Sequence, residues 1–182
     1  QILALLAIEM SKDKRLTNNN VVSTSMANMG LETLLKKHKI GLIRAKVGDR
    51  YVKEKMISED LNLGGEQSGH IILRDFTSSG DGIVVALQVL SILSRKKGKA
   101  SDCLHLFSPL PQNLINFPVK ERNILDHKNT KLFIKSCEEK VSEDGRIVVR
   151  MSGTEPLLRV MIESGNQHTI DELTESVTKY FS

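Results

Sequence analysis

The sequence predicts an α/β protein of two domains: a mixed, mostly parallel α/β/α domain over residues 1–108 and a small α+β domain over residues 109–182. Three observations predict this arrangement. Helical and strand patterns alternate through the first part, which favours helices packed on a largely parallel sheet. Pro109 and Pro111 then interrupt the chain. After them the order becomes strand, helix, strand, strand, helix, which is typical of an antiparallel sheet with helices on one face.

The elements of the first part follow from apolar spacing. Residues 2–14 carry apolar side chains at helical spacing. Residues 26–38 place three leucines on one face and lysines at the C-terminal end, where cations suit the helix dipole. Residues 81–97 are apolar nearly all round, and we therefore predict a buried helix there. The predicted helices are 2–14, 26–38, 50–60 and 81–97, and the predicted strands are 21–23, 41–44, 63–66 and 70–73, the last two forming a hairpin.

The second part has fewer elements. We predict strands at 114–119, 146–151 and 157–163 and helices at 130–141 and 169–181. Pro118 has no backbone N–H to donate, which favours a sheet edge for the first of these strands. Thr169 or its neighbours should cap the last helix, with acidic residues in its first turn.

Composition excludes several classes of protein. The chain has 182 residues, of which 40% are hydrophobic and 26% charged, so it can bury a core without metal or disulfide support. Aromatic residues make up only 4%, which argues against a stacking platform for single-stranded nucleic acid. Cys103 and Cys137 are too few for a disulfide framework or a four-thiolate zinc site, and a reduced compartment fits best.

Charge and the N-terminal residues give further expectations. The net charge is +4. Residues 1–119 carry 16 Lys and Arg against 11 Asp and Glu, whereas residues 120–182 carry 10 Lys and Arg against 11 Asp and Glu. The positive excess favours an anionic partner for the first part. Gln1 opens an apolar helical pattern with no basic leader, so we expect a cytoplasmic protein and a piece of a longer chain. The longest apolar run is far shorter than the ~20 residues that span a bilayer.

The most distinctive segment, residues 150–159, connects two predicted strands. Ser152, Gly153 and Thr154 can direct successive backbone N–H groups and two hydroxyls at one point, which makes an anion nest. Arg150 and Arg159 bracket the turn with forked donors that suit a phosphate. From the residue types alone, an ordinary hairpin turn with two surface arginines is equally consistent.

A second candidate site lies at residues 64–70, where glycines flank a polar turn. Glu66, Gln67 and Ser68 present a carboxylate, an amide and a hydroxyl side by side, which are groups that bind sugar hydroxyls. A hairpin turn with polar tips explains the same residues equally well. His70 begins a strand, where a structural role is commoner than a catalytic one.

The third candidate is the loop at residues 46–51. A loop that leads into a helix N-terminus favours anions, and Lys46 and Arg50 add positive charge. Asp49 is predicted to cap that helix. Residues 77–82 are interpreted as a turn and a helix cap because Asp81 would repel a phosphate. The remaining histidines are scattered without ligand spacing, so we expect no metal site.

Taken together, four segments in order resemble the α-D-phosphohexomutase superfamily, and within it the bacterial enzymes that act on glucosamine phosphates. Residues 65–70 resemble the sugar-recognition loop, in which Gln67 is the form usual in the glucosamine enzymes. Residues 150–156 with 159–163 resemble the phosphate-binding loop of the last domain. Residues 45–52 and 80–83 also match in type and order. The resemblance covers essentially the whole chain.

The resemblance implies a role for each candidate residue. The implied sugar-binding residues are Glu66, Gln67, Ser68 and His70. The implied binding residues for the non-reacting phosphate are Arg150, Ser152, Gly153, Thr154 and Arg159. The implied cleft-lining residues are Lys46, Asp49 and Arg50. The fold implied for the last domain is similar to that of TATA-binding protein.

Enzymes of this superfamily have four domains around one cleft. The implied reaction interconverts glucosamine 6-phosphate and glucosamine 1-phosphate, on the way to UDP-N-acetylglucosamine and the cell wall. A phosphoserine of the enzyme donates its phosphoryl group to give a bisphosphorylated sugar, and Mg²⁺ neutralises charge on the transferring group.

The chain departs from the superfamily in one respect. The catalytic serine lies in a Ser-His-Asn-Pro-like loop and the magnesium site in an Asp-Gly-Asp-Gly-Asp-Arg-like loop, and neither occurs in residues 1–182. We therefore expect domains three and four only, with domains one and two as missing partners. This chain should have no catalytic residue, no bound metal and no mutase activity by itself. Its expected ligand is a phosphorylated amino sugar, with no membrane or nucleic-acid partner.

Two other functions are also considered. The first is a stand-alone sugar-phosphate binding or regulatory module, which calorimetry and the addition of the missing domains would distinguish from a divided enzyme. The second is a basic nucleic-acid-binding protein, prompted by the sequence pI of about 9.1. The net negative charge of residues 120–182 and the sparse aromatic residues argue against it.

Overall fold

The computed structural model describes residues 1–119, 121, 123–141 and 145–182. The chain divides into two compact units, Gln1–Pro109 and Leu110–Ser182. The first unit contains helices α1 to α5 and strands β1 to β4. These are α1 Ile2–Lys12, β1 Asn20–Thr24, α2 Met29–Lys37, β2 Gly41–Ala45, α3 Asp49–Ser58, β3 Leu63–Gly65, β4 Ile71–Leu73, α4 Gly82–Arg95 and α5 Ala100–Leu104.

The sheet of the first unit is mixed and mostly parallel, which confirms the predicted fold class. Its strand order is β2-β1-β3-β4, with β1 parallel to both β2 and β3 and with β4 antiparallel to β3. The predicted hairpin is thus present. Because successive side chains of a strand point to opposite faces, Val21 joins the core against α1, α2 and α4, whereas Val22 joins the core against α3.

The close approach of α3 to the sheet depends on Gly64 in β3. A Cβ at this position would collide with Val52 and Met56, which are both buried on α3. A larger residue at position 64 would therefore push α3 away from the sheet, and the carboxyl end of β3 would lose its position relative to the start of α3.

The α4 helix differs from its prediction. It begins after Asp81, whose Oδ1 accepts hydrogen bonds from Ile83 N and Val84 N, so the predicted cap is confirmed. The prediction of a buried helix is wrong. Only Val89 and Ile92 of this helix are buried, and Leu87 is 59% exposed. The apolar spacing of a helix indicates which face is hydrophobic, but it does not indicate which partner covers that face.

The second unit is a three-stranded antiparallel sheet with two helices. Its elements are β5 Gln112–Pro118, α6 Lys128–Val141, β6 Gly145–Met151, β7 Leu157–Ser164 and α7 Gln167–Phe181. The strand order β5-β7-β6 places β5 at an edge, as Pro118 predicts. Leu158, Val160 and Ile162 of the central strand pack with residues of both helices in one core, so both helices cover the same face.

One smaller expectation is corrected, and one short helix was not predicted. The cap of α7 is Asn166, whose Oδ1 accepts from His168 N at 2.9 Å, so the helix begins before Thr169. The short helix α5 has too few residues to produce a periodic signal, and the sequence did not predict it. Within the described residues, no helix has both the length and the apolar character that crossing a membrane requires.

Candidate functional site

Two loops meet at the carboxyl edge of the first sheet. Because β2, β1 and β3 are parallel, the chain leaves β2 at Ala45 and β3 at Gly65 on the same side of the sheet. Ligands of open α/β sheets bind in the crevice at this edge. The predicted loops at residues 46–51 and 66–70 are thereby brought together, although they lie about twenty positions apart in the chain.

The turn at residues 66–70 is closed by its own backbone. Glu66 N donates to His70 O at 2.8 Å, and Gly69 N donates to Glu66 O at 3.1 Å. Gly69 has a φ of 97°, a left-handed conformation that favours glycine. This geometry leaves Gln67 and Ser68 exposed at the tip and Glu66 half-buried. The buried hydroxyl of Ser23 anchors the base of the turn by donating to Gly65 O at 2.7 Å.

Glu66 and His70 each contact the start of α3. Gly48 N donates to Glu66 Oε1 at 3.0 Å, and Asp49 Oδ2 lies 3.7 Å from His70 Nε2. The prediction that Asp49 caps α3 is wrong, since Gly48 occupies the cap position and Asp49 Oδ1 accepts from Arg50 N, one residue along the helix. Asp49 is instead placed against His70. Gly80 also lies so close to the His70 imidazole that a Cβ there would collide with the ring.

The two cations of the third candidate contact neighbouring residues of their own segment. Lys46 is exposed, with Nζ 5.9 Å from the centroid of the Tyr51 ring. Arg50 donates from Nε to Glu54 Oε1 at 2.8 Å along α3. This hydrogen bond and the charge of Glu54 raise the pKa of Arg50.

A cavity of about 1040 Å³ opens beside the turn. Its lining includes the polar residues Ser23, Asn28 and Asp81 and the turn at residues 66–70. It also includes apolar side chains of α1, α2 and α4, together with Phe107. Lys46, Asp49 and Arg50 are not among the lining residues of the first unit. The polar lining residues offer the acceptors and donors that sugar hydroxyls need.

In the second unit, Arg150 and Arg159 lie directly opposite each other on β6 and β7. Like charges in opposed positions destabilise a strand pair. The Nε atoms of both arginines are buried, and neither has a hydrogen-bond partner among the described residues. Burial, and after it the charge of Arg159, lowers the pKa of Arg150. Two forked cations with unused donors form a place where a phosphate would relieve the repulsion.

The turn that joins these strands contains a residue that the sequence analysis missed. Glu155 Oε2 accepts from Arg159 Nη2 at 2.6 Å, and Glu155 N donates to Ser152 Oγ at 3.4 Å. Gly153 and Thr154 are exposed at the tip. A phosphate at this turn would compete with the Glu155 carboxylate for Arg159. No helical spacing rule predicts this pair, because Glu155 lies in the turn and Arg159 in the following strand, β7.

The described residues contain no group of three or more His, Cys, Asp or Glu side chains that could hold a metal ion. The groups that the two turns provide are a carboxylate, an amide and a hydroxyl on one turn, and an arginine pair beside the other.

Comparison with known families gives the same division of the chain. Residues 1–110 match the family model "Phosphoglucomutase/phosphomannomutase, alpha/beta/alpha domain III", and residues 114–179 match "Phosphoglucomutase/phosphomannomutase, C-terminal domain". A phosphoglucosamine mutase of Nitrobacter winogradskyi is 44% identical over 177 residues, which is 97% of this chain and 40% of that protein. A phosphoglucosamine mutase of Hyphomonas neptunium is 49% identical over 164 residues, or 90% of this chain and 36% of that protein. The chain thus spans about 40% of the length of the first of these relatives.

Solved structures share the fold. An N-acetylglucosamine-phosphate mutase of the α-D-phosphohexomutase superfamily, in its substrate complex, has a TM-score of 0.78 at 22% identity, covering all of this chain and 43% of the other. An N-acetylphosphoglucosamine mutase of Aspergillus fumigatus, in complex with GlcNAc-6P and magnesium, has a TM-score of 0.79 at 21% identity, covering 98% of this chain and 46% of the other. At this identity the likeness is one of fold.

Proposed function

Because this chain belongs to the phosphoglucomutase/phosphomannomutase family, we propose that it forms the substrate-binding half of a phosphoglucosamine mutase. That enzyme interconverts glucosamine 6-phosphate and glucosamine 1-phosphate. The observation that carries the proposal is the turn at residues 66–70, here called the Glu66 turn. Gly48 holds this turn at the carboxyl edge of the sheet, and the turn exposes Gln67 and Ser68 to solvent. The relatives named above, which are phosphoglucosamine mutases over the whole of their longer chains, support it.

In this proposal the first unit binds the sugar. Glu66 and Ser68 hydrogen-bond sugar hydroxyls, and Gln67 contributes to the choice of the amino sugar. His70 lies beside them, with Asp49 as its neighbour at 3.7 Å. The Gly48 amide fixes one oxygen of Glu66, which leaves the other oxygen for a sugar hydroxyl. A carboxylate that is already oriented loses less side-chain entropy when the sugar binds.

The second unit holds the phosphate that does not react. Arg150 and Arg159 supply forked donors, and Ser152, Gly153 and Thr154 supply hydroxyl and backbone donors at the tip of the turn. Binding energy from a distal phosphate positions the reacting end of the sugar. A phosphate bound here would compete with the Glu155 carboxylate for Arg159.

The phosphoryl donor and the magnesium site of the reaction are proposed to lie outside this chain. The described residues do not offer a group of three metal-ligating side chains, so they do not fit a magnesium site and we derive no step through the ion. In the whole enzyme, a phosphoserine would transfer its phosphoryl group to a sugar hydroxyl and regain one from the bisphosphorylated sugar. The contribution of this chain is to bind and orient that sugar.

Isothermal titration calorimetry with glucosamine 6-phosphate tests the proposal. We expect binding to the isolated chain, weaker binding of glucose 6-phosphate, and weaker binding still of inorganic phosphate. Replacing Gln67 by Glu should reduce the preference for the amino sugar without unfolding the chain, because Gln67 is exposed. The absence of any heat of binding at millimolar glucosamine 6-phosphate would contradict the proposal.

A further inference from the structure

The carboxyl ends of α1, α2 and α4 carry a concentration of cations. These helices end at Lys12, Lys37 and Arg95, and further lysine or arginine residues follow each of them. We call this surface the basic edge. Its cations are Lys12, Lys14, Arg15, Lys36, Lys37, Lys39, Arg95, Lys96, Lys97 and Lys99. Lys96 is half-buried and the other nine are exposed.

The topology of the sheet places the three helix ends on the side away from the Glu66 turn. The helices α1 and α2 end just before β1 and β2 begin, whereas the Glu66 turn follows the carboxyl end of β3, which is parallel to β1. The helix α4 begins beside the turn, because Gly80, two residues earlier, lies against the His70 imidazole. Its 14 residues carry the chain about 21 Å away from that turn.

Direct contacts join the three helix ends. Glu9 Oε1 lies 2.9 Å from Lys12 Nζ and 3.1 Å from Lys96 Nζ, which joins the end of α1 to the end of α4. Asn19, in the segment between α1 and β1, donates from Nδ2 to Lys39 O at 2.6 Å, just after the end of α2. The basic edge is therefore one surface and not three separate helix ends.

Few carboxylates offset these cations. Residues 9–15, 36–39 and 95–99 contain ten Lys and Arg against two acidic residues, Glu9 and Asp13, so these segments carry a net charge of +8. The rest of residues 1–119 carries six Lys and Arg against nine Asp and Glu, a net charge of −3. The positive excess of this part of the chain thus lies at the basic edge and not beside the Glu66 turn.

Most of these cations have no acidic neighbour. Lys12 and Lys96 share Glu9, Arg15 pairs with Asp13 at 3.3 Å, and Lys36 pairs with Glu32 at 2.9 Å. The cations that form no ion pair with any residue described by the structure are Lys14, Lys37, Lys39, Arg95, Lys97 and Lys99. The acidic residues at the end of α3 do not supply partners, because Glu59 pairs with Lys55 and Asp60 with Arg74.

The helix dipole does not account for the whole set. The dipole favours cations within the last turn of a helix. Lys14, Lys39, Lys97 and Lys99 lie beyond the ends of their helices. Unpaired like charges repel one another and destabilise a compact fold, and a cluster of them attracts a partner of opposite charge.

We propose that the basic edge binds the surface of a membrane that contains anionic lipids. Eight of its ten cations are lysines, which act as point charges without the forked geometry by which arginine binds a single phosphate. The three segments contain no aromatic residue on which a nucleic-acid base could stack. Packed helices lie about 8–10 Å apart, so three helix ends present charge over a broad area. A layer of anionic headgroups matches such a surface, because it attracts each Lys or Arg near it.

This contact needs charge at the bilayer surface and no membrane-spanning helix. The partner differs from the expectation of no membrane contact, which rested on the shortness of the apolar segments. The Glu66 turn lies at the opposite edge of the sheet, so a sugar phosphate and a lipid surface can be bound at the same time. The proposal does not depend on the proposed function.

Co-sedimentation with lipid vesicles tests the proposal. The chain is mixed with vesicles of phosphatidylcholine that contain about 30% phosphatidylglycerol, and with vesicles of phosphatidylcholine alone. The test variant carries three substitutions at the basic edge, Lys14→Gln, Lys37→Gln and Lys97→Gln. The control variant carries three substitutions elsewhere, Lys53→Gln, Lys135→Gln and Lys179→Gln. All six side chains are exposed, so the two variants lose the same charge without loss of packing.

We expect the unsubstituted chain to bind the anionic vesicles and not the neutral ones, and to be released by about 0.5 M salt. The test variant should bind the anionic vesicles roughly tenfold more weakly, and the control variant within about twofold of the unsubstituted chain. Unfolding temperatures equal to that of the unsubstituted chain establish that both variants are folded.

Four results would overturn the proposal. The first is no binding of the unsubstituted chain to the anionic vesicles at low salt. The second is an equal loss of binding in the two variants, because net charge and not the basic edge would then set the affinity. The third is complete displacement from the vesicles by a DNA duplex at equal concentration of negative charge, which would make nucleic acid the partner. The fourth is displacement by millimolar glucosamine 6-phosphate, which would place the contact at the sugar site.

Discussion

The backbone amide of Gly48 donates a 3.0 Å hydrogen bond to Glu66 Oε1, which joins the loop after β2 to the turn after β3. The two residues are 18 positions apart in the chain. They meet because both follow parallel strands of one sheet. The hydrogen bond orients a carboxylate at the edge of the cavity before any ligand is present.

Removing the Glu66 carboxylate should weaken binding of glucosamine 6-phosphate by roughly 10- to 100-fold, because hydrogen bonds to a charged group contribute about 1.5–3 kcal/mol. Isothermal titration calorimetry of the Glu66→Ala variant with glucosamine 6-phosphate measures this loss of affinity. Glu54→Ala removes a carboxylate from the exposed side of α3 and is the control, with an expected change below twofold. Equal losses in the two variants would show that net charge, and not position, sets the affinity.

Gly80→Ala should destabilise the first unit and weaken sugar binding, since the added Cβ would collide with the His70 imidazole. Overpacking of this kind costs about 1–3 kcal/mol. Gly82→Ala adds the same methyl group two residues later, where no atom lies within 4 Å of the added Cβ, and should leave stability equal or raise it by about 0.4–1 kcal/mol. Unfolding in urea measures the free energy of unfolding of both variants. An unaffected Gly80→Ala variant would mean that His70 moves without cost.

Arg150→Gln should reduce the affinity for inorganic phosphate by roughly tenfold or more, because a forked, charge-assisted donor is lost. Lys140→Gln is the control. It removes the same charge from a half-exposed position on α6 and should change the affinity for inorganic phosphate little. Without phosphate, Arg150→Gln should not destabilise the unit, since burial and Arg159 already disfavour the charged form and lower the pKa of Arg150. Phosphate should therefore raise the unfolding temperature of the unsubstituted chain more than that of the variant.

Cys137 should react with a maleimide at least tenfold more slowly than Cys103 at neutral pH. Cys137 is 2% exposed, whereas Cys103 is half-buried. Burial raises the pKa of the Cys137 thiol, so less of the reactive thiolate is present, and its rate should climb as the pH rises. Mass spectrometry of timed samples measures both rates. Faster labelling of Cys137 would indicate that α6 opens locally.

The purified chain should not convert glucosamine 6-phosphate to glucosamine 1-phosphate, because it lacks both loops that supply the phosphoryl donor and the metal in the superfamily it resembles. Phosphorus NMR of a long incubation with magnesium and glucose 1,6-bisphosphate checks this. Steady turnover that grows with the concentration of the chain would disprove it. Turnover that appears only after the N-terminal region is added would fit a divided enzyme.

Most helices and strands were predictable from short segments of the sequence. The apolar spacing of α1, the β-branched pair Val21 and Val22 and the proline at the end of β5 each predicted their element, because these signals act within a few residues. The caps were less predictable. Asp49 and Asn166 both carry side chains that can cap a helix, and only the backbone path decided which of the two does so.

The sequence by itself determined the order of helices and strands apart from α5, the turn that carries Glu66 and the pair of arginines around Ser152, because each depends on residue types within a short window. Only the tertiary structure decided that Gly48 holds Glu66, that Asp49 faces His70 and that Arg150 opposes Arg159. It also left the apolar face of α4 in water. These relationships depend on which strands lie side by side, and that neighbourhood is set by packing across the whole unit and not by any one segment.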